Sequence, residues 1–227
     1  MLIEMAPLAP KDRYKLIAGF IVPRPIALVT SRSAAGVDNA APFSAFNYMG
    51  EDPPVIVLGL QVHGAQSVHA GEIKDTTKNI HETGEFVVNL VDEAIAERMN
   101  VCAVDFPPET SETDAAGLTL APSVAVAPAR IVESPVAMEC RRLAALEFGS
   151  FRQVVVGEIL WMHVRDELID DDTLTIDAAA YSPVGRLFGS LYVRTNDRFE
   201  LPMMRYAEYL EKGPTRIRDA DKPGERR

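Results

Sequence analysis

Residues 26–31 read Ile-Ala-Leu-Val-Thr-Ser, a run of apolar and β-branched side chains without alternation, and predict a strand buried on both faces. Residues 33–38, with Gly36, have turn chemistry. A second extended run covers about 39–48 and closes at Glu51-Asp52-Pro53-Pro54, and Val55-Ile56-Val57-Leu58 is a third strand. Three strands separated by short turns predict an antiparallel meander rather than strand–helix–strand units. Residues 61–72 form a loop rich in Gly and His. The stretch 75–83 then predicts a helix capped by Asp75 and ended before Gly84. Phe86-Val87-Val88-Asn89-Leu90-Val91 is another strand. Asp92 caps a helix to about Val104, with Ile95, Met99 and Val101 on one side, and Phe106-Pro107-Pro108 ends it. Residues 114–117 predict a short helical turn, 203–210 a terminal helix, and 130–132, 136–146 and 153–164 further strands. Six or seven strands with two or three helices predict a mainly β fold, a β-barrel carrying peripheral helices.

Composition narrows the class. The chain has 227 residues, 47% apolar and 25% charged, as an ordinary soluble domain has. One domain over 1–212 is expected, followed by a flexible charged tail at 213–227, where Pro214, Pro223 and Gly224 interrupt mixed charges. The formal net charge of −10 argues against a nucleic-acid surface. It also means that a phosphate-bearing ligand must meet a local positive site. The first fourteen residues lack a basic start and an apolar run, and no apolar stretch approaches the roughly 18 residues of a membrane helix, so a cytoplasmic location is expected. Cys102 and Cys140 stand far apart and read as reduced thiols.

Common catalytic signatures are missing. No two glycines are separated by one residue, which excludes the dinucleotide fingerprint G-x-G-x-x-G. Gly59 and Gly64 have phosphate-loop spacing, but Ala65 follows instead of lysine. His81-Glu82 lacks the second histidine of a zinc-hydrolase helix, and His63, His69 and His163 read as two loop residues and one strand end. No G-x-S-x-G elbow occurs.

Three segments carry chemistry instead. Pro23 and Pro25 stiffen the backbone around Arg24, which suits either a phosphate or carboxylate ligand or an arginine paired with a structural carboxylate where the chain enters the barrel. In Ala41-Pro42-Phe43-Ser44-Ala45-Phe46-Asn47, Pro42 calls for an edge strand or a departure from the ladder at that residue. Small residues leave backbone groups approachable by the polar edge of a flat heteroaromatic ring, and the same pattern also fits a bulged edge strand with Phe43 and Phe46 in the core. Lys74-Asp75-Thr76-Thr77 opens a helix, where free N–H groups, a lysine and a hydroxyl suit a phosphate; simple capping by Asp75 is the alternative.

In this order and spacing the three segments resemble the flavin reductase-like family. Asn79, the strand 85–90, Phe106-Pro107-Pro108, Ser134-Pro135-Val136 before Glu139-Cys140, and Pro183-Val184-Gly185-Arg186 extend the resemblance over about 23–202. Leu28 departs from it, standing where an aromatic residue is common, and so does the 61–72 loop, which is not the common serine-rich, Arg-containing form. The resemblance implies a Greek-key split β-barrel, dimeric, binding FMN near the subunit interface. It sets Phe43, Ser44, Ala45 and Asn47 against the isoalloxazine and ribityl chain. The phosphate falls to the helix start at Lys74, Asp75 and Thr76, with Arg24. The implied reaction is hydride transfer from NADH or NADPH to the flavin N5, with a separate oxygenase as a destination for the reduced flavin. A flavin-binding electron carrier and a cofactor-free interaction barrel are the alternatives.

Overall fold

The computed structural model describes residues 1–61, 73–107, 110–149 and 152–219. The readings of 62–72 with His63 and His69, of Pro108, and of the last eight residues of the tail lie outside the described residues.

Seven strands build one antiparallel sheet: β1 (Ala27–Arg32), β2 (Asp38–Phe43), β3 (Phe46–Glu51), β4 (Pro54–Gln61), β5 (Glu85–Leu90), β6 (Val136–Phe148) and β7 (Arg152–Val164). Their order is β2-β1-β5-β6-β7-β4-β3. The two edge strands, β2 and β3, are consecutive in sequence with only Ser44 and Ala45 between them. A sheet whose opposite edges are joined by two residues must curl until those edges meet, and this closes the barrel. Beside this link the Gly59 amide of β4 donates to the Ala45 carbonyl at 2.6 Å, extending the β3–β4 pairing by one step. The mainly β barrel with peripheral helices is therefore as the sequence predicts.

The meander is corrected at this seam. The extended run at 39–48 is two strands, not one, and they do not pair with each other. Pro42 remains in register opposite Leu28, which an edge strand tolerates because the missing N–H faces no further strand.

β1 is buried on both faces for a structural reason. Ala27 and Val29 point into the barrel with Phe86, Ile56 and Leu58, while Leu28 packs outward against Val91, Ile95, Met99 and Cys102. The Phe86 ring lies over Gly157, where a Cβ would come within 2.6 Å of it, so that position is confined to glycine.

Helix α1 (Pro10–Phe20) escapes the sequence reading; it buries only Ala18, while Tyr14, Ile17 and Phe20 are exposed. Pro10 sits in its first turn, where a missing N–H costs nothing. α2 (Asp75–Thr83) has the expected bounds, closed by Gly84 in the left-handed conformation at φ 74°. Its cap differs: Lys74 is the N-cap and Asp75 the first helical residue, and no side chain caps the helix. Asp92 does cap, accepting from the Ile95 amide at 3.3 Å, but it opens a 3-10 turn (Glu93–Ile95) before a short α3 (Ala96–Val101). α4 (Glu112–Ala115) and α5 (Tyr206–Lys212) follow. Arg218–Asp219 pairs with Phe199–Glu200, so the first part of the expected tail is tied to the body. No helix of the described residues is long and apolar enough to cross a membrane.

Candidate functional site

A cleft of about 1270 Å³ runs along the barrel seam, bounded by α1, the link between β2 and β3, the start of α2, and residues 102–107 and 110–112. All eight residues singled out in the sequence line it: Arg24, Phe43, Ser44, Ala45, Asn47, Lys74, Asp75 and Thr76.

At one end is the seam. Phe43 is mostly buried in the barrel core and offers the cleft a wall. Gly59 lets β4 lie close against Ala45: a Cβ there would stand 2.7 Å from the Cβ of Ala45. Asn47 Oδ1 accepts from the Tyr48 amide at 2.9 Å, which leaves its NH2 group without a protein partner among the described residues.

Arg24 is resolved by its hydrogen bonds. Nη1 donates to the carbonyls of Ala18 at 2.5 Å and Ile21 at 2.8 Å, Nη2 to that of Leu187 at 2.9 Å, and Nε to Ser44 Oγ at 3.4 Å. The guanidinium ties the C-terminal end of α1 and the segment at 187 to the seam. Together these bonds use most of its donors. The partners are carbonyls, not the carboxylate that a structural arginine was expected to find.

The other end is the start of α2. Lys74 has no side-chain acceptor, so the first-turn amides have no side-chain cap. Thr76, 1% exposed, accepts from Asn39 Nδ2 at 2.8 Å, which leaves its hydroxyl proton to donate. Asn79 fixes the helix by donating to Ser31 Oγ at 3.1 Å. Lys78 and Arg152 also line the cleft, which supplies the local positive charge an acidic protein needs there. An uncapped helix start, two lysines and a hydroxyl proton left to donate suit a phosphate group. The carboxylate of Asp75 has no donor to give a phosphate; in the first turn it faces the positive end of the helix.

Sequence reading missed three contributors. Asn39 and Glu112 act through tertiary contacts that no local spacing signals, and α1 lends Tyr14 and Ile17 to the cleft wall. Glu112 is half-buried, and its Oε2 accepts from the Ala40 amide at 3.4 Å. Burial pushes its carboxyl above the ordinary range, with a smaller contribution from Asp75, and nearby backbone amides pull it back in part.

Neither thiol is activated. Burial, then the charge of Glu112, pushes Cys102 up to about 11, and burial pushes Cys140 up to about 12. His163 is no isolated ligand: its Nε2 meets Glu139 Oε1 at 2.6 Å, and among the described residues no group of side chains could hold a metal ion.

Known proteins agree with this architecture. The profile of the flavin reductase like domain matches residues 19–185. Among solved structures, the 2-nitrobenzoate 2-nitroreductase of Pseudomonas fluorescens is 45% identical, with TM-score 0.81, covering 91% of this chain and 98% of its own. Nitrilotriacetate monooxygenase component B from Bacillus cereus is 35% identical, also with TM-score 0.81, covering 88% of this chain and 98% of its own. A protein with a split barrel domain from Shewanella frigidimarina, 21% identical with TM-score 0.73 over 87% of this chain and 95% of its own, shares the fold. On the profile match alone, which spans most of its length, the chain belongs to the flavin reductase-like family.

Proposed function

We propose that the protein binds FMN in the seam cleft and reduces it with NADH or NADPH. The observation that carries this reading is the convergence, in one cleft, of an uncapped nine-residue helix start with Lys74 and Thr76 and of the seam at Ser44-Ala45. Lys74, Thr76 and the first-turn amides of α2 would hold the phosphate. Ser44, Ala45 and the free amide of Asn47 would orient the ring edge, with Phe43 as a wall. When bound, the flavin accepts a hydride from the nicotinamide, and this needs no protein acid or base. The absence of an activated thiol or a catalytic triad is consistent with that division of work.

Reduced flavin would pass to a separate oxygenase, as the resemblance to a monooxygenase component suggests. A second reading follows from the 45% identity to a nitroreductase: bound reduced flavin gives its electrons directly to a small aromatic substrate. We also propose a homodimer. Tyr48 and Met49 on β3 and Phe199, Leu201 and Met203 near the C-terminus are exposed apolar side chains that a second copy would cover.

Mixing the purified protein with FMN and each nicotinamide without air tests the reductase. Bleaching of the flavin absorbance is expected; its absence with both nicotinamides, alongside bleaching by a reduced protein partner, would leave only an electron carrier. Reoxidation of the bleached sample by a nitrobenzoate would favour the second reading.

A further inference from the structure

The phosphate end of the cleft holds a carboxylate that neither the fold nor the proposed reaction requires. Glu112 opens α4 and meets the outer edge of β2 at Ala40. One residue back along that strand, Asn39 donates to the Thr76 hydroxyl. Both Glu112 and Thr76 line the cleft, and the charge of Asp75, at the start of α2, reaches Glu112 and adds to the upward push on its carboxyl. Its contact to Ala40 is long, and among the described residues it has no ion-pair partner.

The charged and titratable groups around it are mixed. α2 presents Lys74, Asp75 and Lys78, and β2 presents Asp38, which is already paired with Arg32 at 2.8 Å. From α3 comes Cys102, whose thiol donates to the Glu112 carbonyl at 3.7 Å, and beyond it Asp105. Asp114 lies on α4 itself. An ionised Glu112 would face a phosphate as a second anion in a partly desolvated space, next to Asp75. The neutral acid removes that repulsion and adds an O–H donor.

We propose that Glu112 is the proton-linked residue of the phosphate end: binding of a flavin phosphate draws one proton from solvent onto its carboxylate. The inference rests on the flavin reading above. Charge balances through the buffer, which gives up the proton. Burial already raises the carboxyl, the same direction in which a bound phosphate would push it.

Binding titrations of FMN and of riboflavin between pH 7 and 8 test this, for the wild type and Glu112→Gln. A phosphate monoester is almost fully ionised above about pH 7, so the ligand contributes little slope there. Cys102, pushed to about 11, stays a thiol in that range. The wild-type Kd for FMN should rise up to tenfold per pH unit, while Glu112→Gln changes less than twofold. Calorimetry at pH 7.5 in two buffers of different ionisation heat should count close to one proton taken up with FMN. It should count none with riboflavin or with the variant. The wild-type comparison of the two flavins stands even if the variant folds poorly.

A Glu112→Gln protein that keeps the wild-type pH slope would overturn the proposal. So would one that binds FMN tenfold more weakly at pH 8, because the ionised carboxylate would then be an acceptor for the ligand. Failure of the wild-type protein to bind FMN would strike at the flavin reading itself, a distinguishable result.

Discussion

Arg24 and Lys74 bring the same charge to one cleft but use it differently. Arg24 is held by three main-chain carbonyls and Ser44, whereas Lys74 stands at a helix start with no acceptor of its own. Arg24→Ala leaves those carbonyls without their donor and should cost about 1–3 kcal/mol of stability. The ratio of its FMN and riboflavin affinities should stay as in the wild type, because the phosphate does not depend on it. Lys74→Ala should do the opposite: little change in melting temperature, and a loss of about 1.5–3 kcal/mol in FMN affinity with riboflavin unaffected. Thermal melts and paired titrations on the two variants check both outcomes. A phosphate-selective loss in Arg24→Ala would return that residue to the anion site.

At the scale of elements, legibility in the sequence followed how local the cause was. β1, β5, β6 and β7 are readable because β-branched and apolar runs mark strands with buried faces. The start of α2 is readable because its turn, lysine and threonine are contiguous. The division of 39–48 into β2 and β3 is not, since composition is continuous across Ser44 and Ala45 and the break exists only because the barrel closes there. α1 is hidden for the converse reason: it is a helix whose apolar face is largely exposed, so burial leaves no periodic trace. Asn39 and Glu112 reach the site from separate elements, and no spacing encodes that. The seam also gives a prediction. Gly59→Ala sets a Cβ against Ala45 at 2.7 Å and crowds the hydrogen bond that extends the β3–β4 pairing to Ala45. It should cost about 1–3 kcal/mol by overpacking and weaken flavin binding along with it. A variant with wild-type melting temperature and wild-type FMN affinity would show that the seam does not need the close approach.

For the molecule as a whole, the acidic composition makes acid stability informative. Glu139 is fully buried on β6 and accepts from His163 Nε2 at 2.6 Å and from the amides of Val124 at 2.7 Å and Ala125 at 2.6 Å. Burial alone would push its carboxyl up; the His163 hydrogen bond and the two amides outweigh burial and hold it below the ordinary 4.5. With the folded value depressed, the stability it contributes is present above pH 4.5 and lost as pH falls through the folded value. Glu139→Gln should therefore lower the melting temperature near neutral pH and lessen its fall between about pH 5 and pH 3. An equal drop at both ends of that range would contradict the assignment. Sedimentation at micromolar concentration checks the proposed dimer, for which a monomer would be the adverse result.

The account rests on one claim, that the cleft at the barrel seam takes a phosphorylated flavin with its phosphate at the start of α2. Parallel titration of the purified protein with FMN and with riboflavin tests it most directly. The account predicts binding of both flavins, with riboflavin weaker by tenfold or more. Equal affinity for the two, or no binding of FMN, would contradict it.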